Sequence, residues 1–131
     1  ATPASAQNNT ALGDVAIAFG TEIFDQGGRF SSSTFTAPVT GKYQLNVNLR
    51  VEQIDSAANY YQLYIITSNR SYIFIYDPEN GGTDRVYNNM GFSVLADMDT
   101  NDTATVLISQ SGGTQQSDIS TESYFSGFLA C

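Results

Sequence analysis

The chain has 131 residues, a length that fits one domain with a sizeable buried core. Its formal net charge is −8 and its five Lys and Arg residues are scattered, whereas nucleic acids and anionic membrane surfaces need clustered cations. No apolar run approaches the ~20 residues that span a bilayer, so we expect neither a nucleic-acid partner nor membrane insertion. Cys131 is the only cysteine, which excludes a disulfide within the chain and predicts an exposed terminal thiol.

The first ten residues, ATPASAQNNT, are small and polar and include a proline. This composition is typical of linkers. We therefore interpret residues 1–12 as a linker or stalk remnant of a longer polypeptide, and residues 13–131 as a single head domain.

The clearest predicted element is a long strand in KYQLNVNLRVEQI, residues 42–54. Apolar and polar residues alternate there, which is the period of a strand with one buried face. Pro38, which cannot donate to a ladder, and Gly41, which allows a turn, mark its beginning. The predicted buried face consists of Tyr43, Leu45, Val47, Leu49 and Val51, and the predicted outer face of Gln44, Asn46, Asn48, Arg50 and Glu52.

The next two segments, NYYQLYIIT and SYIFIY, are apolar or aromatic on both faces. Strands of that kind are covered on both sides. In so small a domain a neighbouring subunit is the natural second cover, and the alternative is an internal strand flanked by loops. The aromatic residues of these two segments, and one tyrosine of the final segment, are the predicted interface residues: Tyr60, Tyr61, Tyr64, Tyr72, Phe74, Tyr76 and Tyr124.

Turn residues divide the second half of the chain. DPENGGTDR, residues 77–85, and QSGGTQQSD, residues 110–118, are typical of loops. MGFSVLADM and TATVLIS predict a hairpin joined by a tight turn at residues 99–102, and YFSGFLA predicts a final strand. Helical periodicity is absent, and about eight to ten short strands predict an all-β sandwich, barrel or jelly roll.

Three segments, in order, resemble the globular head of complement subcomponent one-q (C1q), a relative of tumour necrosis factor. They are FDQGGRF with STFTAPVTGKYQLNV, then LADMDTNDTATVLI, then ESYFSGFLA. Asn101 in the middle segment stands where the family usually has glycine, and Asn is compatible with the same left-handed turn. The residues that match the first and last family motifs are Phe35, Thr36, Pro38, Gly41 and Tyr43, then Phe125, Ser126, Gly127, Phe128 and Leu129.

The resemblance implies a ten-strand antiparallel jelly roll that forms a compact homotrimer. The chain has none of the collagen repeats that often precede such heads in animals, and its Lys-poor composition, rich in Asn, Thr and Ser, is more similar to bacterial and phage heads that cap fibres or surface stalks. An extracellular, cell-surface or virion-surface location is the corresponding expectation. The residues expected in the structural core are Phe35, Tyr43, Leu45, Val47, Leu49, Phe125 and Phe128.

Catalytic groups are scarce. The chain has no His and its cysteine is terminal, so a base-activated nucleophile is not expected and we predict a non-enzymatic protein. The remaining enzymatic hypothesis is a glycoside hydrolase, which needs two carboxyl groups held about 5 to 10 Å apart in a cleft. The acidic residues here lie mainly in predicted turns, which argues against it.

Calcium is the one cofactor that the sequence suggests. Asp97, Asp99 and Asp102 lie in the oxygen-rich segment DMDTND, which lacks the glycine and the distant Glu of an EF-hand. A plain hairpin turn is the alternative. The resemblance offers another route, because some relatives place calcium near the trimer axis. The alternative ligands are Asp77, Glu79 and Asp84.

Loops at the end of a rigid sandwich usually carry ligand contacts, so the two long loops are the candidate binding site. One functional hypothesis is a trimeric attachment head that binds a receptor protein or a glycan. The other is a structural module that trimerises and registers a stalk, with little binding of its own. The candidate ligand-binding residues are Asp77, Glu79, Asp84, Arg85, Tyr87, Gln115 and Gln116.

Overall fold

The computed structural model describes residues 1–78 and 82–131, and these residues form ten β-strands and no α-helix. The predicted all-β class is therefore confirmed. Within this part of the chain, no helix is long and apolar enough to cross a membrane. The strands are β1 (Gly13–Ala16), β2 (Phe30–Ser31), β3 (Thr34–Thr36), β4 (Gly41–Ile54), β5 (Tyr60–Thr67), β6 (Ser71–Tyr76), β7 (Arg85–Met98), β8 (Thr103–Ser111), β9 (Asp118–Ile119) and β10 (Tyr124–Leu129).

Two antiparallel sheets pack face to face as a jelly-roll sandwich. The six-stranded sheet has the order β2-β3-β8-β5-β6, and β1 also pairs with β8. The four-stranded sheet has the order β10-β4-β7, and β9 also pairs with β4. Both β6 and β7 are edge strands, and they lie on the same side of the sandwich, where they contact each other.

The central strand β4 preserves the alternation predicted from its sequence. It pairs with β7 along most of its length and with β10 on its other side. Its five predicted inward side chains are at most 3 % exposed, while those of the predicted outer face are half-buried. Phe35, also expected in the core, is half-buried and packs edge-on against Tyr43, with ring centroids 5.6 Å apart. One strand thus supplies a large part of the core.

The expected core needs one correction, in β10. Phe125 is 2 % exposed and packs against Phe19 with a centroid separation of 5.7 Å, whereas Phe128 is 57 % exposed. Side chains alternate along a strand, so Phe125 and Gly127 face inward and Phe128 faces outward. The assignment of Phe128 to the core is therefore wrong. A Cβ on Gly127 would lie 2.8 Å from Leu45 Cδ2, so a side chain at this inward position would require the Leu45 side chain to move.

The turn at residues 99–102 is tight, as predicted. Asp102 N donates to Asp99 O (2.9 Å), and Asn101 has a φ of 72°. The two flanking strands, however, do not pair with each other, because β7 pairs with β4 in one sheet and β8 lies in the other sheet. The predicted hairpin is therefore wrong. Turn residues determine that the chain reverses, but not whether both strands enter the same sheet.

Residues 1–12 lie against the sandwich. Phe125 N donates to Ala1 O (3.0 Å), Gln7 forms an isolated bridge with Ile119, and Pro3 is buried. These contacts place the segment next to β9 and β10. Its origin as a linker or stalk remnant stays a prediction.

Candidate functional site

Three loops lie at one end of the sandwich, which we call the tip: residues 55–59, 82–84 and 112–117. β4 and β8 run toward this end, and β5 and β7 leave it, because each neighbouring pair is antiparallel. Cys131 lies at the opposite end, where its carbonyl accepts from Lys42 N (2.8 Å) at the beginning of β4. The two loops selected from the sequence therefore share one end of the fold.

Asp55 holds the tip together, and sequence analysis missed it. Its side chain is buried and accepts hydrogen bonds from Ala57 N (2.8 Å) and from Thr114 N in the 112–117 loop. A Cβ on Gly113 would lie 2.5 Å from Asp55 Oδ2, so glycine permits this close approach. The sequence signal was an Asp directly after a predicted strand. In an Asx turn such a side chain accepts a hydrogen bond from the backbone N–H two residues later, which here is Ala57 N.

Below Asp55, the buried hydroxyl of Tyr61 joins the same network. It accepts from Asp55 N (3.0 Å) and lies 2.7 Å from Ser117 Oγ, which donates to Gln53 O (3.2 Å). Burial raises the pKa of Tyr61 above its usual value. The hydroxyl therefore stays protonated and acts as a fixed hydrogen-bonding group that links β4, β5 and the 112–117 loop.

Asp84 connects the two loops that the sequence indicated. Its carboxylate accepts from Ser56 N (2.9 Å) and Ser56 Oγ (2.8 Å), and also from Gln116 Nε2 (3.1 Å). The backbone hydrogen bond from Ser56, followed by the side-chain hydrogen bonds from Gln116 and Ser56, lowers the pKa of Asp84. Asp84 is therefore an exposed anion in a defined position, with three loops around it.

The other candidate ligand-binding residues are less closely grouped. Gln115 Nε2 donates to Asn9 O (2.8 Å), and Arg85 is exposed at the beginning of β7. Tyr87 is 64 % exposed on the outer face of the four-stranded sheet, with the Arg50 guanidinium 4.7 Å from its ring centroid. Asp77 is exposed directly after β6. The candidate at position 79, Glu79, lies outside the described residues.

The carboxylates of the 99–102 turn have partners that favour the plain-turn interpretation over a calcium site. Asp97 forms an ion pair with Arg70 (2.8 Å) on the exposed side of β7, and Asp102 accepts from Asp99 N (2.8 Å). Met98 points into the core and is 1 % exposed. Among residues 1–78 and 82–131, no three or more His, Cys, Asp or Glu side chains are grouped so that they could hold a metal ion.

One of the seven predicted interface residues is wrong. Tyr61 points from β5 into the interior of the sandwich and is 1 % exposed, so it cannot contact another subunit. Tyr60 and Tyr64 are on the opposite, outer face of that strand, and Tyr124 is 47 % exposed on the outer face of the four-stranded sheet. Their role in an interface stays a prediction.

Three further interface candidates line the open side of the sandwich between β6 and β7. Tyr72, Phe74 and Tyr76 pack against the core but are half-buried, and Phe74 stacks on Phe92 of β7 with a centroid separation of 6.3 Å. We call these four residues the edge cluster. Sequence analysis missed Phe92, although the alternation of the predicted strand around it indicated an inward side chain.

Comparison with known proteins adds the family. The family model of the C1q domain matches residues 1–130. Among solved structures, the chain is similar to the globular domain of zebrafish complement 1qA protein, with a TM-score of 0.62 and 16 % identity over 98 % of both chains. Comparison with curated proteins gives no match.

C1q domains are globular recognition and trimerisation domains, are generally non-enzymatic and are typically extracellular or surface-exposed. The two-sheet jelly roll agrees with the structural similarity, and the family model spans nearly the whole sequence. The chain therefore belongs to the C1q domain family.

Proposed function

We propose that this domain is a non-enzymatic homotrimeric head that caps a fibre, stalk or secreted assembly and binds a receptor protein or a glycan through its tip loops. The observation that carries the proposal is the contact between Asp84 and Gln116, 32 residues apart in sequence. This contact joins two loops into one surface at the end away from Cys131. A fixed exposed anion, with the exposed side chains of Arg85 and Tyr87 nearby in sequence, is suited to polar recognition.

Support for the homotrimer comes from apolar side chains that one chain leaves partly uncovered. The edge cluster opens between two edge strands, and Tyr124 is exposed on the outer face of the four-stranded sheet. A second subunit would cover such surface and protect the edges. The trimerising role of the family points the same way.

The oligomer is tested by light scattering on the wild type and on two matched variants. The wild type should have a mass of about three times 14.1 kDa. Tyr124→Asp should lower that mass because three carboxylates would be placed in the interface, whereas Tyr87→Asp, on the same face, should leave it unchanged. A wild-type monomer at micromolar concentration contradicts the proposal. Repeating the measurement with a chelator tests the calcium site expected near the axis.

Recognition is tested with the tip variants. Three tip variants are compared: the double variant Asp84→Ala/Gln116→Ala, and the single variants Arg85→Ala and Tyr87→Ala. Each should lose adsorption to target cells or binding to a glycan panel while keeping the trimer mass. Lys42→Ala, at the opposite end, is the control and should bind normally.

A second candidate function is a structural module that trimerises and registers a stalk. The hydrogen bonds of Asp84 favour it, because its side chain accepts from both Gln116 and Ser56 and so stabilises the loops without any ligand. Under this function adsorption of the assembly survives in every tip variant, and it is lost only in variants that no longer form the trimer.

A further inference from the structure

A cleft of about 350 Å³ opens beside the C-terminal half of β10, at some distance from the tip. Its other wall comes from residues 24–38, which include β2 and β3. The volume is within the usual range of small-molecule sites. Neither function proposed above uses this cleft. Its aromatic lining consists of Phe24, Phe30, Phe35, Tyr43, Phe125 and Phe128.

These rings form a buried floor and an open rim. Tyr43 and Phe125 are 1 % and 2 % exposed, and they form the floor. Phe24 and Phe128 are 73 % and 57 % exposed, and they form the rim. Because Phe128 points to the outer face of β10, opposite to Phe125, the rim ring that a ligand in the cleft would bury against the floor is Phe24, and covering a large apolar ring is favourable.

Two charged residues lie in the wall, and they are engaged differently. The Asp25 carboxylate accepts from Arg29 N and Phe30 N, both at 2.9 Å, and these hydrogen bonds lower the pKa of Asp25. The Arg29 guanidinium is exposed and, among the described residues, forms no ion pair, whereas Arg50 and Arg70 are each paired with a carboxylate. The charge of Arg29 also contributes to the lowered pKa of Asp25, so the cleft offers an exposed cation that interacts with its neighbouring anion at a distance, while that anion is already bonded to backbone N–H groups.

We propose that this cleft binds a small aromatic or alkyl carboxylate, with its apolar body between Phe24 and the floor rings and its carboxylate on the guanidinium of Arg29. A guanidinium presents donors in a planar fork that matches both oxygens of a carboxylate. The overall charge of −8 opposes an anion at long range. Moderate salt screens that repulsion, so binding is best measured near physiological ionic strength.

The probe is 4-phenylbutyrate, with the neutral 4-phenylbutanol and the cationic 4-phenylbutylamine as matched analogues of the same length. Each is titrated into the 15N-labelled full chain and followed by amide chemical shifts, since ligands of this size bind with a Kd on the order of millimolar. The variants are Arg29→Gln and Phe24→Ala, both at exposed side chains, so the fold is expected to persist. Ile75→Ala, at an exposed position on β6, is the control.

The expected result is that the carboxylate binds more tightly than the alcohol and the amine, with shifts concentrated in residues 24–38 and 125–129. Arg29→Gln should weaken the carboxylate about two- to five-fold and leave the alcohol unchanged. Phe24→Ala should weaken all three ligands, and Ile75→Ala none. The proposal is overturned if the cleft amides do not shift, if the amine binds as tightly as the carboxylate, or if Arg29→Gln has no effect. None of these outcomes depends on the tip loops or on the trimer mass.

Discussion

Phe125 and Phe128 provide a direct test of how β10 is oriented. They are the same residue type, three positions apart in one strand, yet one is 2 % and the other 57 % exposed. We consider Phe125→Ala and Phe128→Ala as a matched pair. Each deletes the same ring, so a difference between the two variants reports burial rather than chemistry.

The magnitude follows from the surroundings of each ring. Phe125 packs against Phe19 at 5.7 Å and against Phe30 at 6.2 Å, and it loses both contacts on truncation. Replacing a fully buried Phe by Ala lowers the free energy of unfolding by about 3 to 5 kcal/mol. Phe128 forfeits little packing, so Phe128→Ala should change the free energy of unfolding by less than about 1 kcal/mol.

The assay is urea denaturation followed by circular dichroism. Every variant is measured at the same protomer concentration, because the apparent stability of an oligomer depends on concentration. Tyr43→Ala removes a second buried aromatic ring from the core, one that is 1 % exposed, and should behave like Phe125→Ala. Losses below about 1 kcal/mol for both Phe125→Ala and Tyr43→Ala, or equal losses for Phe125→Ala and Phe128→Ala, would refute the orientation assigned to these strands.

Three other contacts have measurable consequences. The lowered pKa of Asp84 means that its stabilising contribution is complete above the usual unfolded value near 3.9 and is lost as pH falls through the lower folded value. The difference in melting temperature between wild type and Asp84→Asn should therefore be present at about pH 6 and shrink below about pH 4, and a difference independent of pH contradicts the carboxylate's role. Gly91→Ala should cost about 1 to 3 kcal/mol in urea denaturation, because its Cβ would lie 2.7 Å from Val47 O, a backbone atom held by the sheet; an unchanged midpoint would argue against this register. Asp55→Asn should lower the free energy of unfolding by about 1.5 to 3 kcal/mol and speed hydrogen exchange at Thr114 N, since the amide has one acceptor oxygen instead of two; unchanged exchange would exclude this hydrogen bond.

Some side-chain orientations were readable from the sequence and others were hidden by it. In β4 the inward residues are apolar and the outward ones polar, so alternation alone identifies the buried face. In β5 both faces are apolar, and alternation cannot tell that Tyr61 points inward while Tyr60 and Tyr64 point outward. Phe128 is a different case, because the spacing from Phe125 already required the two rings to face opposite sides.

The amino-acid sequence by itself determined the all-β class, the extent of the long strand, the tight reversal at residues 99–102 and the resemblance to the C1q family. These features are local, since strand period and turn preference depend on a few neighbouring residues. The tertiary structure alone decided that β7 and β8 enter different sheets, that Asp84 meets Gln116, and that Asp55 ties two loops together. Those features depend on contacts between segments that are 32 and 59 residues apart, and no local pattern of residues specifies which distant segment becomes the partner.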